Sequence, residues 1–194
     1  MRGPDRFTSL WLESTLDPVS AKTHNVVMTA QPPPTPPNSE ATASRSTPVR
    51  TVRLGKHDRD EAKRLFALMV EVFAEGGEKL SDAYVETVLE RADFWAIAAL
   101  AGSEIVGGLT AHTLPMTRTA SSEIFIYDIA VRSDCQRRGI GRQLVTHLRK
   151  EGAALGIDDV FVPADNDDVH ALDFYRALGG EAAPVTIFTF GRPT

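Results

Sequence analysis

Between Val49 and Phe190 the apolar positions switch repeatedly between the two-residue period of a strand and the three-and-four spacing of a helix face. Residues 49–54, Val-Arg-Thr-Val-Arg-Leu, predict a first strand. Ala62, Leu65, Phe66, Met69, Val70 and Phe73 then fall on one face of a helix, with Asp58 suited to its N-cap and Gly76-Gly77 to its stop. Ser81 opens a second helix expected to bury Tyr84, Val85, Val88 and Leu89. Two apolar runs, 94–100 and 105–111, flank Ala101-Gly102-Ser103-Glu104 and predict an antiparallel hairpin. A loop over 115–122 leads to a strand at 123–131. Ile140, Leu144, Val145, Leu148 and Leu155 make one helical stripe ended by Gly156. Residues 160–163 form a short strand whose Pro163 suits an end or edge, because proline cannot donate to a ladder. A helix over 169–178 and a closing strand over 185–190 complete an α/β (α+β) domain with a mixed sheet.

Residues 1–48 differ in composition. They contain Gln31-Pro32-Pro33-Pro34-Thr35-Pro36-Pro37-Asn38-Ser39-Glu40 followed by a Thr/Ser/Ala run, which favours extended, solvated chain. The expected division is therefore a disordered Pro/Ser/Thr-rich extension over 1–48 and a folded domain over 49–194. The first 28 residues lack the basic start and continuous apolar core of a secretory signal. Four of the 26 acids and four of the 21 bases precede Val49, so the net charge of −5 belongs to the domain, with 22 acids against 17 bases. That balance argues against a nucleic-acid surface. No apolar run approaches the roughly 20 residues that cross a bilayer, and one cysteine allows no intrachain disulfide. The expectation is a cytoplasmic protein with neither a membrane nor a nucleic-acid partner.

The chemistry concentrates in Val131-Arg132-Ser133-Asp134-Cys135-Gln136-Arg137-Arg138-Gly139-Ile140-Gly141, between an apolar strand and an amphipathic helix. Glycines there let main chain approach a ligand, and the first amides of the helix have no intrahelical acceptor. Those N–H groups, the helix dipole and three nearby arginines all favour a phosphate. A dinucleotide fold would space its glycines G-x-G-x-x-G instead. The Gln-Arg-Arg-Gly-Ile-Gly run resembles the Q/R-x-x-G-x-G/A signature of the GNAT superfamily of N-acetyltransferases, and the order of elements is similar from about Val49 to Phe190. The resemblance implies a sheet of six to seven strands, mostly antiparallel, flanked by four helices and splayed between the fourth and fifth strands. It implies acetyl-coenzyme A as co-substrate and no metal. Its pyrophosphate would be held by Gln136, Arg137, Arg138, Gly139, Ile140, Gly141 and Arg142, and its pantetheine arm by the main chain of Ile129, Ala130 and Val131.

Acetyl transfer to an amine needs a proton acceptor, a donor to the developing oxyanion and stabilisation of the departing thiolate. Asp128, an acid inside an apolar strand next to the coenzyme segment, is the expected base; the structural alternative is a hydrogen bond to a helix end. Tyr175, where the superfamily often carries a tyrosine, is the expected acid, with a core aromatic as its alternative. Cys135 is read as a small loop residue, because direct attack by the amine needs no acyl-enzyme.

Asp165, Asp167 and Asp168, with Glu123 and Asp128, would make a negative cleft that attracts a polycation. One of the loop acids is expected to cap the helix that follows, and the others to face the cleft. The strand Ile124-Phe125-Ile126-Tyr127-Asp128-Ile129-Ala130-Val131 and the Ala164-Asp165-x-x-Asp168 loop resemble those of the type I (gentamicin/fortimicin) aminoglycoside 3-N-acetyltransferases. That likeness implies acetylation of a 3-amino group, places Glu123, Tyr127, Asp128, Asp165, Asp167 and Asp168 at the aminoglycoside, and is compatible with a homodimer. Asn166-Asp167-Asp168-Val169-His170 and Cys135 depart from the pattern. Two alternatives stay open: an N-acetyltransferase of a protein, peptide or small polyamine, and a non-catalytic acyl-coenzyme A-binding module.

Overall fold

A computed structural model describes residues 48–74 and 78–190. The expected extension over residues 1–48, save Pro48, and the glycine stop at Gly76-Gly77 lie outside them. The described residues divide into two compact units, 48–184 and 185–190. The first carries the sheet.

Its elements run β1 (Val49–Arg53), α1 (Arg59–Phe73), α2 (Asp82–Leu89), β2 (Phe94–Ala101), β3 (Glu104–Pro115), β4 (Ser122–Val131), a 3-10 turn at Ser133–Cys135, α3 (Ile140–Ala154), β5 (Val160–Phe161) and α4 (Val169–Ala177). The strands lie in chain order, antiparallel except for the parallel pair β4 and β5. Among the described residues the sheet has five strands, fewer than the six to seven expected. Residues 181–190 have no regular secondary structure, so the strand expected over 185–190 is not formed. A run of apolar and β-branched residues makes a strand only where a ladder meets it.

Two cores sandwich the sheet. On one face Ile140, Leu144, Val145 and Leu148 of α3 and Ala171 of α4 pack on Trp95, Ile97, Leu109, Ile124, Ile126, Ile129 and Val131. On the other, Ala62, Leu65, Leu68 and Met69 of α1 and Val85 and Leu89 of α2 pack on Ala96, Ala98, Leu100, Ile105 and Ala130. Tyr84 and Val70, expected to be buried, are 55% and 41% exposed, because each helix turns only a narrower stripe inward. Ser81 caps α2 through Tyr84 N–H. Asp58 precedes α1 without capping it, since its carboxylate accepts from Gly55 N–H at 2.9 Å.

Two irregularities shape β4. Its ladder to β5 holds only Ile124↔Val160 and Phe125↔Phe161, so from Ile126 onward β5 no longer pairs with it. On the other edge the register with β3 shifts between Thr110↔Asp128 and Ala111↔Ile126. Tyr127 is the extra residue of a β-bulge. Ile124 and Ile126 before it, and Ile129 and Val131 after it, share one core. Ala130 belongs to the other.

Candidate active site

The turn between β4 and α3 is built by side chains that the motif does not display. Arg132 forks onto Asp134 at 2.7 and 3.1 Å, meets Glu104 at 3.4 Å and donates to Cys135 Sγ at 3.6 Å, while its N–H donates to Val106. Asp134 is held below the usual carboxylate range, chiefly by its hydrogen bond from Arg132. Cys135 is buried, in keeping with a small loop residue. Gln136 donates from Nε2 to Val131 O at 3.0 Å, tying the turn to the end of β4. Arg137 sits at φ 61° and Gly139 at φ 78°, with Arg138 between them outside the left-handed region. Left-handed residues alternating with one outside that region are the kind of backbone in which successive amides can converge on an anion. For Arg137 the conformation costs about 1–2 kcal/mol.

Gly139 occupies the N-cap position of α3, which no side chain caps, and a Cβ there would meet nothing within 4 Å. Its need for glycine is therefore purely conformational. Gly141 has a different cause: a Cβ would lie 3.1 Å from Phe174, so this glycine lets α4 pack against α3. Arg142 is drawn the same way, donating to Ala177 O at 3.1 Å at the end of α4. Arg137 and Arg138 are exposed and make no hydrogen bond or ion pair with another described residue. Ile140 is buried, and only its backbone amide can serve a ligand. The residues present thus fit a pyrophosphate through backbone, with Arg137 and Arg138 as the available cations.

The acidic loop after β5 is partly self-satisfied. Asp165 accepts from Asp167 N–H through Oδ1 at 2.9 Å, and from Asp168 N–H through its carbonyl at 3.1 Å. Asp168 caps α4, accepting from Ala171 N–H at 2.9 Å. Among the described residues Asp167 and Glu123 carry no such bond on their carboxylates; Asp167 is exposed and Glu123 partly so. Asp168 also acts electrostatically on Tyr175. Burial, and then the Asp168 charge, push the Tyr175 phenol well above its ordinary range. Tyr175 packs beside Phe174 against the α3-side core, and its hydroxyl oxygen is buried with no hydrogen-bond partner among the described residues. An orphaned donor of this kind costs about 1–3 kcal/mol and accounts for itself if a ligand atom accepts from it.

Asp128 lies on the half-buried side of the bulge, in register with Thr110 of β3. Thr110 is 5% exposed, and its hydroxyl also has no hydrogen-bond partner among the described residues. Tyr127 is 39% exposed, its ring edge-on to His112 and Phe125. Burial holds the His112 imidazole below its ordinary value, against an opposing pull from Asp93. The sequence did not single out Arg132, Thr110 or Phe161. Only Arg132 left a signal, its acidic partner two positions on. Among the described residues no group of three or more His, Cys, Asp or Glu is placed to hold a metal ion, and no helix is long and apolar enough to cross a membrane.

The sequence pattern of the acetyltransferase (GNAT) family matches residues 61–179, more than half of the chain. The chain belongs to the GNAT acetyltransferase family. It is an acyl-coenzyme A-dependent N-acetyltransferase. It is 30% identical over 128 residues to YvbK, an uncharacterized N-acetyltransferase of Bacillus subtilis, covering 66% of this chain and 72% of that one. It is 31% identical over 70 residues to the [ribosomal protein bS18]-alanine N-acetyltransferase of Salmonella typhimurium, covering 36% of this chain and under half, 47%, of the relative. Among solved structures it is similar to the aminoglycoside acetyltransferase meta-AAC0020 from an uncultured soil metagenomic sample. The trehalose complex of that protein superposes with a TM-score of 0.70 at 31% identity, covering 75% of this chain and 97% of that chain. Its sisomicin complex gives 0.71 at 29%, with the same coverage.

Proposed function

We propose that this GNAT enzyme transfers the acetyl group of acetyl-coenzyme A to an amino group of an aminoglycoside, the 3-amino group by its likeness to the type I 3-N group. The observation that carries the reading is the placement of Asp128 at the β4 bulge, directly before the stretch of β4 that β5 leaves unpaired. The likeness to meta-AAC0020 over nearly all of that protein's length supports the substrate class. Bound acetyl-coenzyme A supplies the thioester. The free edge of β4 at Ile129, Ala130 and Val131 offers main-chain N–H and C=O to an extended amide arm, and the amides around Gly139 take its phosphates.

Asp128 accepts a proton from the substrate ammonium, directly or through water, freeing the nitrogen lone pair. An N–H of β4 donates to the oxygen on which charge develops. Tyr175 donates its phenolic hydrogen toward the departing sulfur, and the second proton on the nitrogen leaves through solvent. Because burial and Asp168 keep the phenol protonated, it is a hydrogen-bond donor at all neutral pH values. Full transfer of its proton requires the positive charge of a bound substrate to offset those two effects. Asp165, Asp167, Asp168 and Glu123 provide the negative field for a polycation.

The short match to a ribosomal-protein alanine acetyltransferase favours a second reading, a protein or peptide amine as acceptor. A thiol-release assay with gentamicin and kanamycin, spermidine and an alanine-terminated peptide separates the two. The first reading expects turnover with the aminoglycosides and a product acetylated at the 3-amino nitrogen by NMR. Turnover of the peptide alone overturns it.

A further inference from the structure

Register places four ring-bearing residues in one line across the sheet. Phe94 of β2 pairs with His112 of β3, His112 with Phe125 of β4, and Phe125 with Phe161 of β5. Their rings touch in sequence: Phe94 to His112 at 5.3 Å and Phe125 to Phe161 at 5.3 Å between centroids, with Tyr127 bridging His112 at 5.8 Å and Phe125 at 6.0 Å. Phe66 of α1 closes the inner end against Phe94 at 6.4 Å. The outer end is open, Tyr127 being 39% and Phe161 43% exposed. Alternation along β4 puts Glu123 on the same face, two residues before Phe125.

Fold stability alone does not explain aromatic rings at the exposed end of this row. We infer that Phe125, Tyr127 and Phe161 form a platform for a saturated, amine-bearing ring, so that the site selects cyclic aminosugars over acyclic polyamines of equal charge. The faces of these rings are negative, and the C–H groups of a sugar or cyclitol beside ammonium groups are positively polarised. A rigid ring covers a platform of this kind at little entropic cost, which a flexible polyamine does not. The acids supply attraction for any polycation, and the row adds the preference for shape. The inference rests on the reading of the acceptor as a cationic small molecule, and it names the residues that read its ring.

The test compares kanamycin with spermine, both tetra-amines, by isothermal titration of the full chain in the presence of coenzyme A. Phe161→Ala should weaken kanamycin about five- to tenfold and spermine less than twofold, as expected for the loss of one aromatic contact to the ring. Phe161→Leu, which keeps an apolar side chain at the strand, should show the same selective loss, and Phe161→Tyr should restore wild-type affinity. Equal losses for the two ligands, or unchanged kanamycin affinity, overturn the inference. A wild-type enzyme that binds kanamycin selectively but consumes no acetyl-coenzyme A with it sinks the catalytic proposal while leaving the platform standing.

Discussion

Replacing Tyr175 by phenylalanine should make the protein more stable and less active. The Tyr175 side chain packs against the α3-side core, but its hydroxyl oxygen is buried without an acceptor among the described residues. Phenylalanine keeps the ring packing and deletes the orphaned donor. A buried unsatisfied polar group costs about 1–3 kcal/mol, so the variant should gain about 1 kcal/mol, or roughly 2–4 °C in Tm for a chain of this size. Activity moves the other way. If the phenol donates toward the departing sulfur, kcat falls by about 10²-fold while KM for the amine changes little.

The pH dependence gives a second check with a definite sign. The folded state holds the phenolic proton more tightly than the unfolded chain, where tyrosine titrates near its ordinary value of about 10. Stability from this group is therefore constant below about pH 10 and is lost as pH rises from there toward the folded value. Tyr175→Phe should flatten that alkaline decline in urea-melt midpoints measured at several pH values. A variant that is less stable than wild type, with an unchanged kcat, would refute the argument, because the hydroxyl would then have a structural partner and no part in the chemistry.

Asp128→Asn keeps size and most hydrogen bonding but removes the charge; kcat should fall by about 10²–10⁴ with the fold intact by circular dichroism, and a near-wild-type kcat moves the search to Glu123. Gly139→Ala and Gly141→Ala should fail differently. The first strains a left-handed residue in open space, costs about 1–2 kcal/mol and raises KM for acetyl-coenzyme A; the second pushes Phe174 and shows mainly as a loss of about 1–3 kcal/mol in thermal stability. Asp168→Asn retains a capping residue for α4 and removes the charge beside Tyr175. Its Tm should hold within about 2 °C, while aminoglycoside KM rises, more at low than at high salt.

Hydrophobic pattern located every α-helix and strand of the sheet unit, the helices by one inward stripe and β2 and β3 by continuous apolar runs, because the sheet is covered on both faces. The hairpin of β2 and β3 turns at Gly102-Ser103 as expected, with Gly102 at φ 64°. The apolar and β-branched run over 185–190 misleads, since such residues do not supply the neighbouring strand that must pair with them. In the turn between β4 and α3, Gly139 was legible by its type. Arg137 at φ 61° was not, because nothing about arginine signals a left-handed residue. Gly141 was legible as a glycine of the turn, but its packing under Phe174 was not, since only the packed structure brings that ring to 3.1 Å from a Cβ there. In the acidic loop Asp168 is the acid that caps α4, and Asp165 braces the loop itself by accepting from Asp167 N–H.

The bulge shows how far a single strand can carry chemistry. Strict alternation would put residue 128 on the same face as Ile124 and Ile126, a carboxylate pressed into the core that α3 covers. One extra residue, Tyr127, shifts the phase, so that Ile129 and Val131 take over that core and Asp128 comes to the face of Ala130 and Thr110. The signal is present in the spacing Ile124-x-Ile126-x-x-Ile129-x-Val131, where the apolar positions change from even to odd. The same shift leaves Tyr127 outward beside Phe125 and His112. It therefore places the proposed base and the exposed ring that would hold its substrate on one side of the sheet, next to the edge that β5 leaves open. A bulge that re-aims two adjacent side chains resolves the conflict between a hydrophobic strand and the carboxylate of Asp128, the proposed base, without pressing the charge into the core.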